Sequence, residues 1–355
     1  MPQYYIWTIG CQMNKAESQR VADYLGLLSY KATRSLRSAD LVVLNTCVVR
    51  QSAEDKVLGT LGYVKGIKNY NPDLFVLVTG CFVNSNIQQL RRNFPHVDLF
   101  FKPGDYVKLA KWAERLRIVP PKTGLPLTKN TTVCAFVPII RGCDNFCSYC
   151  IVPYRRGREK SRPVKEIVCE VDRLVSCGTK EVTLLGQNVN SYGHDLPRKP
   201  DLSDLLNELN SIDGLVRIRF LTNHPKDMSQ KLIKAIASLG KVCEHVSLPL
   251  QSGDDDILKA MNRGYTGEQY RQLIHTLRSD IPEIAISTDV IVGFPGESDE
   301  QFDHTLAVLE KIQFDTVHVA TYSPRLGTIA SREYRDDVPF EIKKERLNKV
   351  EALQA

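Results

Sequence analysis

Three cysteines fall within eight residues in Cys143-Asp144-Asn145-Phe146-Cys147-Ser148-Tyr149-Cys150, a C-x3-C-x2-C spacing. Thiolates this close on one loop can hold an iron–sulfur cluster or a zinc ion. Three is the informative number. A closed structural zinc site wants four protein ligands, whereas a four-iron cluster on three thiolates leaves one iron open. Two other readings stand beside this one: zinc with a fourth ligand such as Cys134, or a redox Cys147/Cys150 pair with Cys143 as bystander. Tyr149, between the last two cysteines, is either a cover or stacking face beside a cofactor or plain packing. A second trio, Cys11, Cys47 and Cys81, is spaced by 36 and 34 residues. These are three buried apolar thiols or a second metal site.

The elements that must position these residues are readable as alternation. Tyr4–Ile9, Asp40–Asn45, Leu74–Val78 and Val97–Phe101 are aromatic, β-branched or apolar runs, predicted as strands. Helical spacing covers Ala16–Leu28, Ser52–Ile67 and Tyr106–Leu116. Strands alternating with helices mean a parallel sheet covered by helices. Cys11, Cys47 and Cys81 each follow a predicted strand, so all three fall on the carboxyl edge of that sheet, where ligands bind. The Pro- and Gly-rich stretch 119–133 is read as a linker between a domain at 1–118 and one at 134–355.

From Cys134 the alternation resumes. Predicted strands are Cys134–Ile140, Glu181–Leu185, Val216–Leu221, His245–Leu250, Ile284–Val292 and Thr316–Tyr322. Helices are predicted over Pro163–Cys177, Leu202–Leu209, Gln230–Ser238, Asp254–Met261, Gly267–Arg278 and Asp299–Ile312. About six βα units fit a partial, open barrel better than the full eight. The cysteine loop then follows the first barrel strand, at the carboxyl end where such barrels carry their chemistry. The last segment, Pro339–Ala355, is a charged helical run. The chain stops mid-pattern, so it ends either in a frayed helix or before a further domain.

Composition sets bounds. The 355 residues are 43% hydrophobic and 25% charged, ordinary for a globular protein of two domains. No run of about 18 apolar residues is present, and the N-terminus lacks a secretory signal. No membrane contact is expected. A net charge of +6 permits nucleic-acid binding without demanding it. Ten cysteines without a signal peptide argue against a disulfide framework and for a reducing, cytoplasmic setting. The seven histidines have no metal-ligand spacing. The densest positive patch is Arg155, Arg156, Arg158, Lys160 and Arg162, just past the cysteine loop. It is read as a grip for phosphates or as a solvated loop.

With these motifs in place, the chain resembles the radical S-adenosylmethionine (SAM) methylthiotransferase family. The residues that carry the likeness are Gly10-Cys11-Gln12-Met13-Asn14, Asn45-Thr46-Cys47, Thr79-Gly80-Cys81 and Gly142-Cys143-Asp144-Asn145-Phe146-Cys147. With them go Val152-Pro153-Tyr154, Arg156-Gly157-Arg158-Glu159, Leu184-Leu185-Gly186-Gln187-Asn188-Val189-Asn190-Ser191-Tyr192, Leu248-Pro249-Leu250-Gln251-Ser252-Gly253 and Asp289-Val290-Ile291-Val292-Gly293-Phe294-Pro295-Gly296-Glu297. The Gly-Cys-Gln-Met-Asn and Gly-Gln-Asn-Val-Asn-Ser-Tyr runs are most similar to its MiaB-type branch, the tRNA 2-methylthio-adenosine synthases. The sequence departs from the family pattern at Phe82-Val83-Asn84 and at Lys15–Gln19, with no ligand lost. The RNA-binding TRAM domain typical of the family is absent from this sequence.

The resemblance implies an α/β fold: an N-terminal parallel α/β sheet domain with an auxiliary cluster, then a partial (βα)6 radical SAM barrel. It implies two [4Fe-4S] clusters, one on Cys143, Cys147 and Cys150 and one on Cys11, Cys47 and Cys81, with SAM as co-substrate. SAM contacts are placed by position at Tyr149, Gln187, Asn188, Gln251, Ser252, Asp289, Gly293 and Glu297. For each, the alternative is a loop polar residue capping a helix. The implied substrate is the tRNA anticodon loop, methylthiolated at C2 of N6-isopentenyladenosine. The same chemistry on the threonylcarbamoyl form or on a ribosomal-protein aspartate is the near alternative. A non-catalytic iron–sulfur or zinc RNA-binding protein is the distant one. A donor such as flavodoxin or ferredoxin would supply electrons, and the expected state is a monomer.

Overall fold

The computed structural model describes residues 1–83, 86–116 and 132–354. By compactness the chain divides into two units: Met1–Thr132 with Tyr154–Arg156, and Val133–Pro153 with Gly157–Ala355. The expected linker at 119–133 falls outside the described residues except for its last two positions.

The first unit runs β1 (Gln3–Thr8), α1 (Gln12–Leu27), β2 (Lys31–Ala32), β3 (Leu41–Thr46), α2 (Gln51–Tyr70), β4 (Phe75–Gly80), α3 (Ile87–Asn93), β5 (Leu99–Phe100) and α4 (Tyr106–Arg115). The strands form one parallel sheet in the order β2-β1-β3-β4-β5. Every residue of β3 is buried. Val42 and Leu44 face a core with Val57, Leu61 and Val64 of α2. Leu41 and Val43 face the opposite core with Val21 and Leu25 of α1 and Leu109 of α4. Helices on both faces are why this strand is continuously apolar. The two-residue edge strand β2 was not legible in the sequence. Its place outside β1 matters, because the strand order reverses between β1 and β3. That reversal is the topological switch point where open α/β sheets bind ligands.

The second unit begins with β6 (Cys134–Pro138), β7 (Ile140–Arg141), α5 (Val152–Arg156, whose last three residues group with the first unit) and β8 (Lys160–Ser161). It continues with α6 (Val164–Ser176), β9 (Glu181–Leu185), α7 (Leu202–Asn210), β10 (Arg217–Phe220), α8 (Gln230–Ser238) and β11 (His245–Ser247). It closes with α9 (Asp255–Ala260), α10 (Gly267–Asp280), β12 (Ala285–Val292), α11 (Asp299–Ile312), β13 (Thr316–Thr321), α12 (Ile329–Glu333) and α13 (Phe340–Gln354). Two parallel sheets, β10-β9-β6 and β11-β12-β13, carry the six barrel strands. A parallel bridge links Ile218 of β10 to Val242, just before β11. One apolar cluster runs from Val137 to Val350 through strands and helices alike. This is the partial (βα)6 barrel.

The strand predicted over Cys134–Ile140 is two elements. Pro138 is the last residue in register with β9, its missing N–H tolerated because Ile139 N makes the bond to the Leu185 carbonyl at 2.9 Å. β7 then pairs antiparallel with β8, Ile140 opposite Ser161 and Arg141 opposite Lys160. The cysteine loop between them is therefore closed at its base by its own short hairpin.

Candidate active site

In the second unit the cysteine loop is anchored along its length. Gly142 sits at φ +83, and a Cβ there would lie 2.1 Å from the Arg158 carbonyl oxygen, so only glycine fits. Its N–H donates to Gln187 Oε1 at 2.6 Å. Cys143 N donates to the Gly157 carbonyl at 3.2 Å, and Ser148 N to that of Met261 at 2.9 Å. Asn262 Nδ2 donates to the carbonyls of Asn145 and Phe146. Cys147 is buried and Cys143 and Cys150 are half-buried, all as free thiols. Burial pushes the Cys143 thiol up to about 11 and that of Cys150 up to about 12.

One partner of this loop was not found from sequence. Arg263 is buried (4% exposed) and donates to Cys147 Sγ at 3.3 Å, to the Tyr149 hydroxyl at 3.5 Å, to the Tyr265 hydroxyl at 3.1 Å and to the Pro249 carbonyl at 3.0 Å. Among the described residues it makes no ion pair with a carboxylate. A buried guanidinium without an anion is costly. Here the groups able to supply negative charge are the cysteine sulfurs or an anionic ligand.

The carboxyl edge of the barrel carries a set of orphaned buried polar atoms. Asn188 Oδ1 and Asn190 Oδ1 follow β9, Asn223 Oδ1 and His224 Nε2 follow β10, and Gln251 Oε1 follows β11. Buried polar atoms normally have partners, so five together mark a polar cradle. Thr222 (φ +71) and Gln251 (φ +70) hold left-handed backbone at the same edge, strain of the kind found at ligand sites. Burial, with Arg263 and Lys226 nearby, holds the His224 imidazolium well down, to about 2, so the ring is neutral.

The expected SAM contacts divide. Asn188 and Gln251 present free oxygens here, although Asn188 Nδ2 is bound to Asp227 at 2.7 Å. Gln187 holds the base of the cysteine loop. Ser252 accepts from the backbone of Asp254 at 3.2 Å. Glu297 accepts from Gly293 N at 2.6 Å and pairs with Arg346 at 2.7 Å. Asp289 lies half-buried within β12. Tyr149 is packed beneath Arg263. The basic run divides too. Arg158 and Lys160 are exposed and Arg155 is half-buried. Arg158 also pairs with Asp144 at 2.8 Å. Arg162 donates to the Pro138 carbonyl at 2.8 Å and pairs with Glu170. Arg156 is turned inward.

In the first unit Cys11 caps α1 after β1, Cys47 follows β3, and Cys81 follows β4. The loops meet closely: a Cβ at Gly10 (φ +116) would lie 2.8 Å from Cys47 Cβ and 3.2 Å from its sulfur. Asn14 Nδ2 donates to the carbonyls of Ile9 (2.7 Å) and Thr46 (3.0 Å), and Asn45 Nδ2 to that of Asn14 (2.7 Å). Cys81 N donates to the Thr46 carbonyl at 2.9 Å. The trio thus sits on the carboxyl edge at the β1/β3 switch point. Burial pushes the Cys81 thiol up to about 11, with Arg156 pulling it down and Cys47 pushing it up.

Both donor sets fit an iron–sulfur cluster: three soft sulfurs each, none in a disulfide, on loops braced by backbone bonds, next to a buried arginine. Among the described residues no three His, Cys, Asp or Glu side chains could share one metal ion. In a four-iron cluster each thiolate takes its own iron.

Residues 137–309 match the Radical SAM superfamily, and residues 3–102 match the uncharacterized protein family UPF0004. A tRNA-2-methylthio-N(6)-dimethylallyladenosine synthase of Dehalococcoides mccartyi is 53% identical over 354 residues, covering 100% of this chain and 82% of the relative. This chain belongs to the tRNA-2-methylthio-N(6)-dimethylallyladenosine synthase family. Synthases from Dictyoglomus thermophilum (47% identical, 100% of this chain, 83% of the relative) and Clostridium novyi (44%, 99% and 81%) agree. The fold extends further. The radical SAM methyltransferase TsrM from Kitasatospora setae superposes with a TM-score of 0.67 at 15% identity, over 93% of this chain and 77% of its own. The cobalamin-dependent radical enzyme OxsB does so at 0.62 and 13%, over 99% and 56%. The matched segments 3–102 and 137–309 fall one in each unit, and each contains one cysteine trio.

Proposed function

We infer that this chain is a radical SAM tRNA methylthiotransferase that places a methylthio group at C2 of N6-isopentenyladenosine beside the anticodon. The observation that carries this is the pairing of two three-cysteine sets, one after strands β1, β3 and β4 of the first unit and one in the β7/β8 loop that follows the first barrel strand, in a chain 53% identical to a synthase of that name. Cys143, Cys147 and Cys150 would hold one [4Fe-4S] cluster, and Cys11, Cys47 and Cys81 a second. When bound, these clusters with SAM supply a 5′-deoxyadenosyl radical and the sulfur to be inserted.

The chain's own residues bind, orient and exclude. The side-chain oxygens of Asn188, Asn190, Asn223 and Gln251 offer acceptors to the amine and hydroxyl donors of SAM, and His224 Nε2–H, protonated because Nδ1 accepts from Lys226 N, offers a donor. Arg263 offers charge to a carboxylate, and a neutral His224 adds no second positive charge beside it. Exposed Arg158 and Lys160 suit tRNA phosphates. A flavodoxin or ferredoxin would donate electrons to the cytoplasmic monomer. No helix is long and apolar enough to cross a membrane among the described residues.

The acceptor is tested by mass spectrometry of tRNA nucleosides from a host lacking its own methylthiotransferases and expressing this chain. The 2-methylthio isopentenyl nucleoside is expected. Its absence, with the threonylcarbamoyl nucleoside or a ribosomal-protein aspartate modified instead, would overturn the assignment.

A further inference from the structure

Arg156 belongs to the basic run beyond the cysteine loop, yet its side chain is only 2% exposed and groups with the first unit. Its guanidinium is filled by protein. Nε donates to Cys81 Sγ at 3.3 Å, Nη1 to Glu17 Oε1 at 2.8 Å, and Nη2 to Asn14 Oδ1 at 2.8 Å and Glu17 Oε2 at 3.5 Å. Asn14 is itself tied to the ends of β1 and β3 through Ile9 and Thr46. One planar fork therefore registers the loops behind Cys11 and Cys47 against the sulfur of Cys81. A phosphate-binding arginine has no use for a buried carboxylate partner. Only a rigid fork meets three partners in these directions, which lysine cannot do.

We propose that Arg156 is the positioning residue of the first-unit cysteine site, orienting the Cys81 sulfur and supplying the positive charge against which a cluster there sets its reduction potential. The proposal rests on the reading that Cys11, Cys47 and Cys81 hold that cluster. Three thiolates outweigh the charge of a four-iron core, so the assembled site is anionic and becomes more so on reduction. An N–H···S bond and a nearby cation stabilise the reduced form and raise the potential. Glu17 offsets part of that charge. The two side chains should therefore move the potential in opposite directions, which a pair that merely holds the fold together would not do.

The test uses the full chain carrying C143A, C147A and C150A, so that only the first-unit cluster remains. Anaerobic reconstitution with iron and sulfide should load about four irons. No iron in this background would sink the underlying cluster reading and the proposal with it. Given iron, midpoint potentials are read by redox titration followed by electron paramagnetic resonance. R156Q is expected to shift the potential negative, E17Q to shift it positive, and R156K to fall between R156Q and the parent. Unshifted potentials in R156Q and E17Q with iron retained would overturn the proposal. If R156Q loses iron, E17Q decides: a positive shift upholds the role and no shift rejects it.

Discussion

At the residue scale, the positions of the six cysteines after strands β1, β3, β4 and β7 were legible from spacing and alternation, and their role as cluster ligands is the proposal built on them. The partners of these cysteines were not legible. Arg263, Asn223 and His224 are turn residues whose burial depends on chain far away in sequence, and no local pattern marks them. Arg156 and Arg162 read as surface charge for the same reason. Two predictions belong here. Arg263 touches Cys147, and loss of such an outer partner typically costs about 10- to 100-fold in metal affinity or activity. R263Q should lower SAM cleavage to 5′-deoxyadenosine by that factor, measured by chromatography; an unchanged rate would remove Arg263 from the site. His224 has its folded pKa held below the ordinary value of about 6.5. Its stabilising contribution is full above that pH and is lost as pH falls below it. The urea midpoint of the wild type should drop more between pH 7 and pH 5 than that of H224Q. Equal drops would contradict the burial argument.

At the element scale, period and composition carried most of the fold. α8 and α11 match their expected bounds, and all six barrel strands lie where alternation placed them. The two-residue β2 and the β7/β8 hairpin were invisible, since elements so short have no period. Helix α13 shows a different limit. It reads as a charged helical run, yet Lys343 and Arg346 are only 4% exposed, and Arg346 pairs with Glu297 and Asp299. Every residue of β3 is buried and Leu44 is fully so, so L44A should cost about 2–5 kcal/mol in denaturant unfolding. A loss below ~1 kcal/mol would mean that site is not close-packed. The hairpin that closes the cysteine loop depends on Gly142. G142A should therefore drop bound iron from roughly eight to roughly four per chain, by colorimetric assay; full iron would show that the loop tolerates a side chain there.

At the scale of the whole molecule, two cysteine trios, one in each unit, are proposed to divide one reaction between them. As we propose, the trio on the barrel would serve SAM, and the trio at the β1/β3 switch point would serve sulfur. The measurement that tests this most directly follows 5′-deoxyadenosine formation and 2-methylthio product in parallel, with reconstituted protein and isopentenylated tRNA. C147A should abolish both. C47A should keep SAM cleavage and abolish methylthiolation. Retained methylthiolation in C47A, or retained SAM cleavage in C147A, would contradict the division of labour.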